Sequence, residues 1–237
     1  MRSRDSAVVL VAGGTAERFG SLHGKQMVLL AGKPLLAHAL RASLAVDRAG
    51  LVIVVCPPGR VDEYASVLAT AHSPTDVRFV AGGERRQDSV ANGIAAVTGA
   101  FTYIAVHDGA RPLAGPELFA DLLALLDAMP GLVGAVVGHP SVDTLKRVDG
   151  AQVTSTPDRS KYWMVQTPQA FRAAALRDAY ALAEHRGWDC TDDASLVEAA
   201  GGAVGLLEGP RDNIKVTYPE DLAVAEALLA GRGGGGS

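Results

Sequence analysis

The strongest constraint on this chain is a rhythm in which short, mainly apolar runs alternate with segments of helical periodicity. The runs are Ala7–Ala12, Leu51–Cys56, Val77–Val80, Tyr103–His107 and Leu132–Val137. Helical patterns occupy Pro34–Val46, Val61–Ala71, Asp88–Val97, Pro116–Met129, Ala173–Arg186 and Pro219–Ala230. A strand with so little polar alternation has no face left for water, so it belongs in a sheet covered on both sides. Strand–helix alternation supplies that cover through right-handed crossovers. It predicts an α/β fold with a doubly wound, mostly parallel sheet. Ligands of such sheets lie beyond the carboxyl ends of the strands, so the residues after each run are where chemistry is expected.

The rhythm breaks between His139 and Pro157. Val142–Val153 alternates loosely around Asp149-Gly150, a hairpin turn signal, which predicts a protruding β-arm at about 139–157. The C-terminal Gly-Arg-Gly-Gly-Gly-Gly-Ser has flexible-linker composition, so the folded domain is expected over 1–231 and a Gly/Ser tail over 232–237. With 22 Lys and Arg against 26 Asp and Glu the net charge is −4, unsuited to coating nucleic acid or anionic lipid. A local basic pocket for a small anion remains open. No apolar run approaches the ~18 residues of a membrane helix. Cys56 and Cys190 form no C-x-x-C pair, which removes the common zinc and redox spacings and gives no sign of an oxidising compartment. Asp5 interrupts the basic start and a glycine turn follows the first run, so a cytoplasmic setting is expected over a signal peptide.

Ala12-Gly13-Gly14-Thr15-Ala16-Glu17-Arg18-Phe19-Gly20 closes the first strand. Backbone N–H groups of such a turn can close on phosphates. The dinucleotide pattern G-x-G-x-x-G fails, because Thr15 and Arg18 stand where its later glycines belong. The P-loop fails too: Gln26 follows Gly24-Lys25, and Phe19 replaces the first glycine. What remains is a glycine turn with Arg18 and Lys25, suited either to a triphosphate or to a plain surface turn. Asp108, in Val106-His107-Asp108-Gly109-Ala110-Arg111-Pro112, can hold Mg²⁺ or substrate hydroxyls, and Arg111 can pair with a phosphate. An N-cap aspartate and a solvated arginine account for the same residues. His107 reads as a packed or capping histidine. No G-x-S-x-G supports a nucleophile elbow. Asp192/Asp193 reads as a helix start, and Thr191 with Ala194 lacks a capping box.

In order, Val106–Pro112, Gln166-Thr167-Pro168-Gln169, Thr191-Asp192-Asp193-Ala194-Ser195 and Asn213-Ile214-Lys215-Val216-Thr217-Tyr218-Pro219-Glu220-Asp221-Leu222 resemble one family. From Val9 to Leu229 the chain is similar to the 2-C-methyl-D-erythritol 4-phosphate cytidylyltransferases of non-mevalonate isoprenoid synthesis. The resemblance implies that Arg18 and Lys25 stabilise charge on the triphosphate. It places Ala12, Gly13, Gly14 and Thr15 around the nucleotide, with Gly83, Glu84 and Ser89 against cytosine and Asp108 beside it. It gives Asp108, Arg111, Thr144, Thr167 and Thr191 to the acceptor site, and Arg159 and Lys215 to positioning the acceptor phosphate. Ala16, Gly24 and Gly109 depart from the usual pattern. The glycine pair also resembles ribitol 5-phosphate and sugar-phosphate nucleotidyltransferases.

The implied reaction is transfer of CMP from CTP to a polyol phosphate. The acceptor is a phosphate monoester, mostly dianionic at pH 7, so it needs no protein base. Its difficulty is repulsion from the triphosphate, which Arg18, Lys25, Lys215 and Mg²⁺ on Asp108 would offset. The resemblance also implies a homodimer in which the arm completes the partner's acceptor site. Another acceptor, ribitol 5-phosphate or a sugar 1-phosphate, and a non-catalytic nucleotide sensor are the competing readings.

Overall fold

The computed structural model describes residues 4–13, 24–68 and 75–233. In chain order its elements are β1 (Ser6–Val11), β2 (Leu29–Leu30), β3 (Lys33–Pro34), α1 (Leu35–Leu44), β4 (Ala49–Cys56), α2 (Val61–Val67) and β5 (Asp76–Ala81). Then come α3 (Arg86–Ala96), β6 (Tyr103–Asp108), α4 (Pro116–Ala128), β7 (Gly134–Pro140), β8 (Arg147–Asp149) and β9 (Gln152–Ser155). The chain finishes with β10 (Trp163–Arg172), α5 (Ala173–Arg186), α6 (Asp193–Ala199), β11 (Val204–Glu208) and α7 (Glu220–Gly233). None of the described helices is long and apolar enough to cross a membrane.

Seven strands form one sheet in the order β11-β7-β10-β6-β1-β4-β5. β1 pairs in parallel with both β4 and β6, β4 with β5, and β11 with β7. Only β10 runs antiparallel, between β6 and β7. The expected doubly wound, mostly parallel sheet is therefore present. Both faces are covered, as the apolar strands require. Val8 and Leu10 of β1 pack with α1, α2 and α4, while Ala7, Val9 and Val11 pack with α3, α5 and α6. A smaller core of Leu30, Leu35, Val216 and Ala225 seats α7 against the β2–β3 hairpin.

Several expectations need correction. β10 and β11 were not foreseen as strands. β10 carries Gln166, Thr167, Pro168 and Gln169 in its middle, and proline is unusual inside a sheet. Its pairing with β7 breaks its register between Val165 and Gln169, so Pro168 lies at the irregularity and interrupts no regular ladder there. The helix start read at Asp192/Asp193 is present as α6, but its capping box lies one residue past the Thr191/Ala194 pair: the N-cap is Asp192, whose Oδ1 accepts from the Ser195 N–H at 3.0 Å. At the C-terminus, α7 continues to Gly233 instead of ending at Ala230. Arg232, assigned to the flexible tail on composition, pairs with Asp212 at 2.7 Å and donates to the Leu113 carbonyl at 2.6 Å. A cation in the last helical turn with a carboxylate in reach outweighs the glycines around it.

The arm is a small exposed hairpin of β8 and β9 turning at Gly150, whose φ of 55° suits glycine. It leaves the sheet after β7, and the chain returns through a 3₁₀ turn at Arg159–Lys161 into β10.

Candidate active site

The strand order reverses between β1 and β6, so the crevice beyond their carboxyl ends is the topological switch point where such sheets bind ligands. Ala12 and Gly13 follow β1 into that crevice. Gly14, Thr15 and Arg18 lie outside the described residues. Gly24 takes up the described chain at φ 77°, a backbone that favours glycine, and Lys25 opens the 3₁₀ turn Lys25–Met27 beside α1.

The next wall is the turn from β5 into α3. Gly82 donates to the Cys56 carbonyl at 2.7 Å, and Gly83 donates to Ser89 Oγ at 3.1 Å. A Cβ on Gly83 would meet Asp88 Cβ at 2.4 Å, and one on Gly82 would meet Ser89 Oγ at 2.7 Å. The turn therefore packs against the start of α3 too closely to admit side chains at Gly82 and Gly83. Gly13 lies close to the same Ser89 hydroxyl, while Glu84 is exposed.

The centre of the site is built from Asp108 outward. Its backbone N–H donates to Thr167 Oγ1 at 3.0 Å, and that hydroxyl donates in turn to His107 Nδ1 at 3.0 Å. His107 Nε2–H is then left to donate to the Arg111 carbonyl at 3.2 Å. His107 is fully buried, and burial pushes its imidazole down to about 4, so it is a neutral strut between β6 and β10. Arg111 donates to the Asn213 carbonyl at 2.7 Å, and Asn213 Nδ2 donates to the Thr167 carbonyl at 2.9 Å. These bonds dock the segment after β11 so that Lys215 Nζ reaches Asp108 Oδ2 at 2.7 Å.

The other Asp108 oxygen accepts from Arg86 Nε at 3.3 Å. Burial alone would raise the Asp108 pKa, but Arg86, Lys215 and Arg111 overcome it and hold the carboxyl well below the usual carboxylate range. A cavity of about 300 Å³ opens here, lined by Arg86, Asp108, Arg111, Thr167, Thr191 and Lys215 among others. The sequence-based choices Asp108, Arg111, Thr167, Thr191 and Lys215 thus meet in one place.

Thr144 and Arg159 do not line this cavity. Thr144 is exposed on the arm, and the Arg159 guanidinium donates to the Val142 carbonyl beside it. Arg86 was missed from sequence, as was Asp193, which pairs with it at 2.9 Å. A signal existed: Arg86 opens α3, and a cation is disfavoured at a helix N-terminus unless carboxylates elsewhere claim it.

Among the described residues no group of three or more His, Cys, Asp or Glu gathers as a metal cage. Both Asp108 oxygens are engaged, by Arg86 and Lys215, so this single carboxylate would hold Mg²⁺ only with Lys215 displaced and with phosphate oxygens and water as the remaining ligands.

One carboxylate ringed by three cations, at the switch point of a doubly wound sheet, defines an α/β protein built to receive phosphate esters. The family model for 2-C-methyl-D-erythritol 4-phosphate cytidylyltransferase matches residues 6–231. A protein of that name from Parasynechococcus marenigrum is 41% identical over 94% of this chain and 97% of its own. One from Syntrophotalea carbinolica is 40% identical over 94% of this chain and 95% of its own. Among solved structures, 4-diphosphocytidyl-2C-methyl-D-erythritol synthase from Anaerococcus prevotii superposes with a TM-score of 0.82, 26% identity and coverage of 95% and 96% of the two chains. The 2-C-methyl-D-erythritol 4-phosphate cytidylyltransferase of Thermus thermophilus gives 0.74 at 33% identity over 94% and 98%. This chain belongs to the 2-C-methyl-D-erythritol 4-phosphate cytidylyltransferase family of nucleotidyltransferase enzymes.

Proposed function

We propose that the enzyme transfers CMP from CTP to 2-C-methyl-D-erythritol 4-phosphate. A phosphate oxygen of the acceptor bonds to the α-phosphorus, the α–β bridging bond breaks in line, and pyrophosphate leaves. The observation that carries this reading is the Asp108 cluster: Arg86 and Lys215 pair with one carboxylate, and Arg111 lines the same cavity, which is sized for phosphate groups.

The acceptor arrives as a dianion, so the protein has no proton to remove from it. Lys215 meets the acceptor phosphate, exchanging its Asp108 partner for the incoming charge. Thr167 and Thr191 supply hydroxyls to the polyol, and Arg111 keeps the wall positive. The turn at Gly83–Ser89 lies against cytosine, while Ala12, Gly13, Gly14 and Thr15 offer backbone donors to the triphosphate. Arg18 and Lys25 take up the charge that builds on the leaving pyrophosphate. Asp108 is the residue to hold Mg²⁺, which when bound neutralises phosphate charge. Thr144 and Arg159 reach the acceptor of a second subunit, the enzyme being a homodimer joined through its arms.

Pyrophosphate release tests this directly, with CTP, Mg²⁺ and a panel of methylerythritol 4-phosphate, ribitol 5-phosphate and sugar 1-phosphates. Release with methylerythritol 4-phosphate at a kcat/KM well above the others is expected. A preference for another acceptor overturns the substrate, and CTP binding without release from any acceptor overturns the reaction.

A further inference from the structure

Behind the cavity wall a chain of polar contacts runs into the protein. Arg86 is shared between two carboxylates, Asp108 on the cavity side at 3.3 Å and Asp193 on the inner side at 2.9 Å. The Asp193 side chain is 0% exposed and accepts on its other oxygen from the Tyr180 hydroxyl at 2.5 Å. Burial and the Asp193 charge push the Tyr180 phenol upward, so it stays protonated and serves as a donor. Tyr180 lies on α5 and lines a separate cavity of about 630 Å³ between α3 and α5, whose lining does not include Asp108. Neither Tyr180 nor Asp193 lines the cavity at Asp108.

A buried carboxylate must be balanced by donors. Asp193 has two: the Tyr180 hydroxyl and the Arg86 guanidinium. What Tyr180 supplies, Arg86 need not. The longer of the two Arg86 contacts, to Asp108, is the one that yields if Asp193 demands more. Asp108 then leans on its remaining partner, Lys215.

We propose that Tyr180 and Asp193 are a positioning pair that sets how Arg86 is shared between the two carboxylates, and thereby how readily Asp108 releases Lys215 to the acceptor phosphate. The inference rests on Lys215 meeting that phosphate. It makes the two residues act with opposite sign. Removing the Tyr180 hydroxyl draws Arg86 toward Asp193 and tightens Asp108 on Lys215, so the acceptor binds less well. Removing the Asp193 charge frees Arg86 for Asp108 and loosens Lys215.

Steady-state kinetics of Tyr180→Phe, Asp193→Asn and Lys215→Ala, with thermal melts of each, test this. Tyr180→Phe is expected to raise the acceptor KM about fivefold, the size of one modest hydrogen-bond loss, while kcat and the CTP KM stay within about twofold. Asp193→Asn is expected not to raise the acceptor KM, although both variants lose stability. Damage to the fold would move both in one direction. In an Arg86→Lys background, where the forked bridge is gone, Tyr180→Phe should have no further effect on the acceptor KM. This arm decides the matter on its own if Asp193→Asn does not fold. An unchanged KM in Tyr180→Phe, a joint rise in both variants, or an equal effect in the Arg86→Lys background overturns the pair's role. If Lys215→Ala leaves the acceptor KM unchanged, the assignment of Lys215 fails and the inference falls with it. If Lys215→Ala raises it and Tyr180→Phe does not, only the pair's role fails.

Discussion

At the scale of single residues, the site separates groups that titrate from groups that hold still. His107 stands beside Asp108 yet is a strut, with both ring nitrogens committed to Thr167 and the Arg111 carbonyl. Its position gives the protein a pH signature. Burial lowers the folded pKa to about 4, below the unfolded value near 6.5. As pH falls below the unfolded value, the unfolded chain gains a proton that the folded chain refuses, so stability declines toward the folded value. Linkage gives a loss of about 2 kcal/mol from pH 7.5 to pH 5. Asp108 contributes nothing in that window: its folded pKa is depressed, so its share is lost only as pH falls below the ordinary carboxylate range. Urea unfolding at the two pH values should show the decline in the wild type and a smaller one in His107→Gln. An equal decline in the two proteins would mean that His107 protonates in place. Asp108 and Arg111 were readable because a strand end points to them, while Thr167, Thr191 and Lys215 came only with the family resemblance of their motifs. Arg86 and Asp193 were not readable, because their importance lies in a pairing between segments 107 residues apart in the chain.

At the scale of elements, legibility followed what the side chains are used for. β1, β4 and β6 stand out in the sequence because nearly every position in them is buried and apolar. β10 lies inside the sheet next to β6, but Gln166, Thr167 and Gln169 are buried polar residues. Thr167 is claimed by the site, Gln166 by Asn213, and Gln169 by the start of α6. A strand that serves binding loses the pattern that announces a strand. The β5–α3 turn shows the converse: Gly83 was named only through the family resemblance, and the structure supplies the reason for glycine there, since the packing leaves no room for a Cβ at Gly82 or Gly83. That turn carries the expectation for nucleotide choice. Backbone carbonyls there can accept from the exocyclic amine of cytosine, whereas uracil presents an acceptor to the same groups. An unpaired buried acceptor costs about 1–3 kcal/mol, so kcat/KM for CTP should exceed that for UTP by about tenfold or more. Comparable values for the two nucleotides would remove base reading from this turn.

At the scale of the whole molecule, the arm is the feature a single chain does not explain. Val142, Val148 and Val153 on the hairpin and Tyr162, Met164 and Val165 on its return path are exposed, an apolar surface that a lone two-stranded hairpin leaves wet. Arg159 is anchored on the Val142 carbonyl and so belongs to the arm, away from the cavity at Asp108. A twofold dimer would cover both apolar surfaces by one symmetric contact and carry each Arg159 to the other subunit's cavity. Lys25 serves its own chain in this arrangement, and that difference makes the assembly testable by complementation. Arg159→Ala and Lys25→Ala homodimers are each expected to be nearly inactive, because both of their sites carry a lesion. In a heterodimer isolated through two different tags, one site receives both lesions and the other neither. Its activity should return to about half that of the wild type, since each intact site works alone. If Arg159 served its own cavity, each heterodimer site would keep one lesion and activity would stay at the level of the parents. That result, or a wild-type protein that sediments as a monomer at assay concentration, would leave the arm a surface hairpin and return the acceptor site to a single chain.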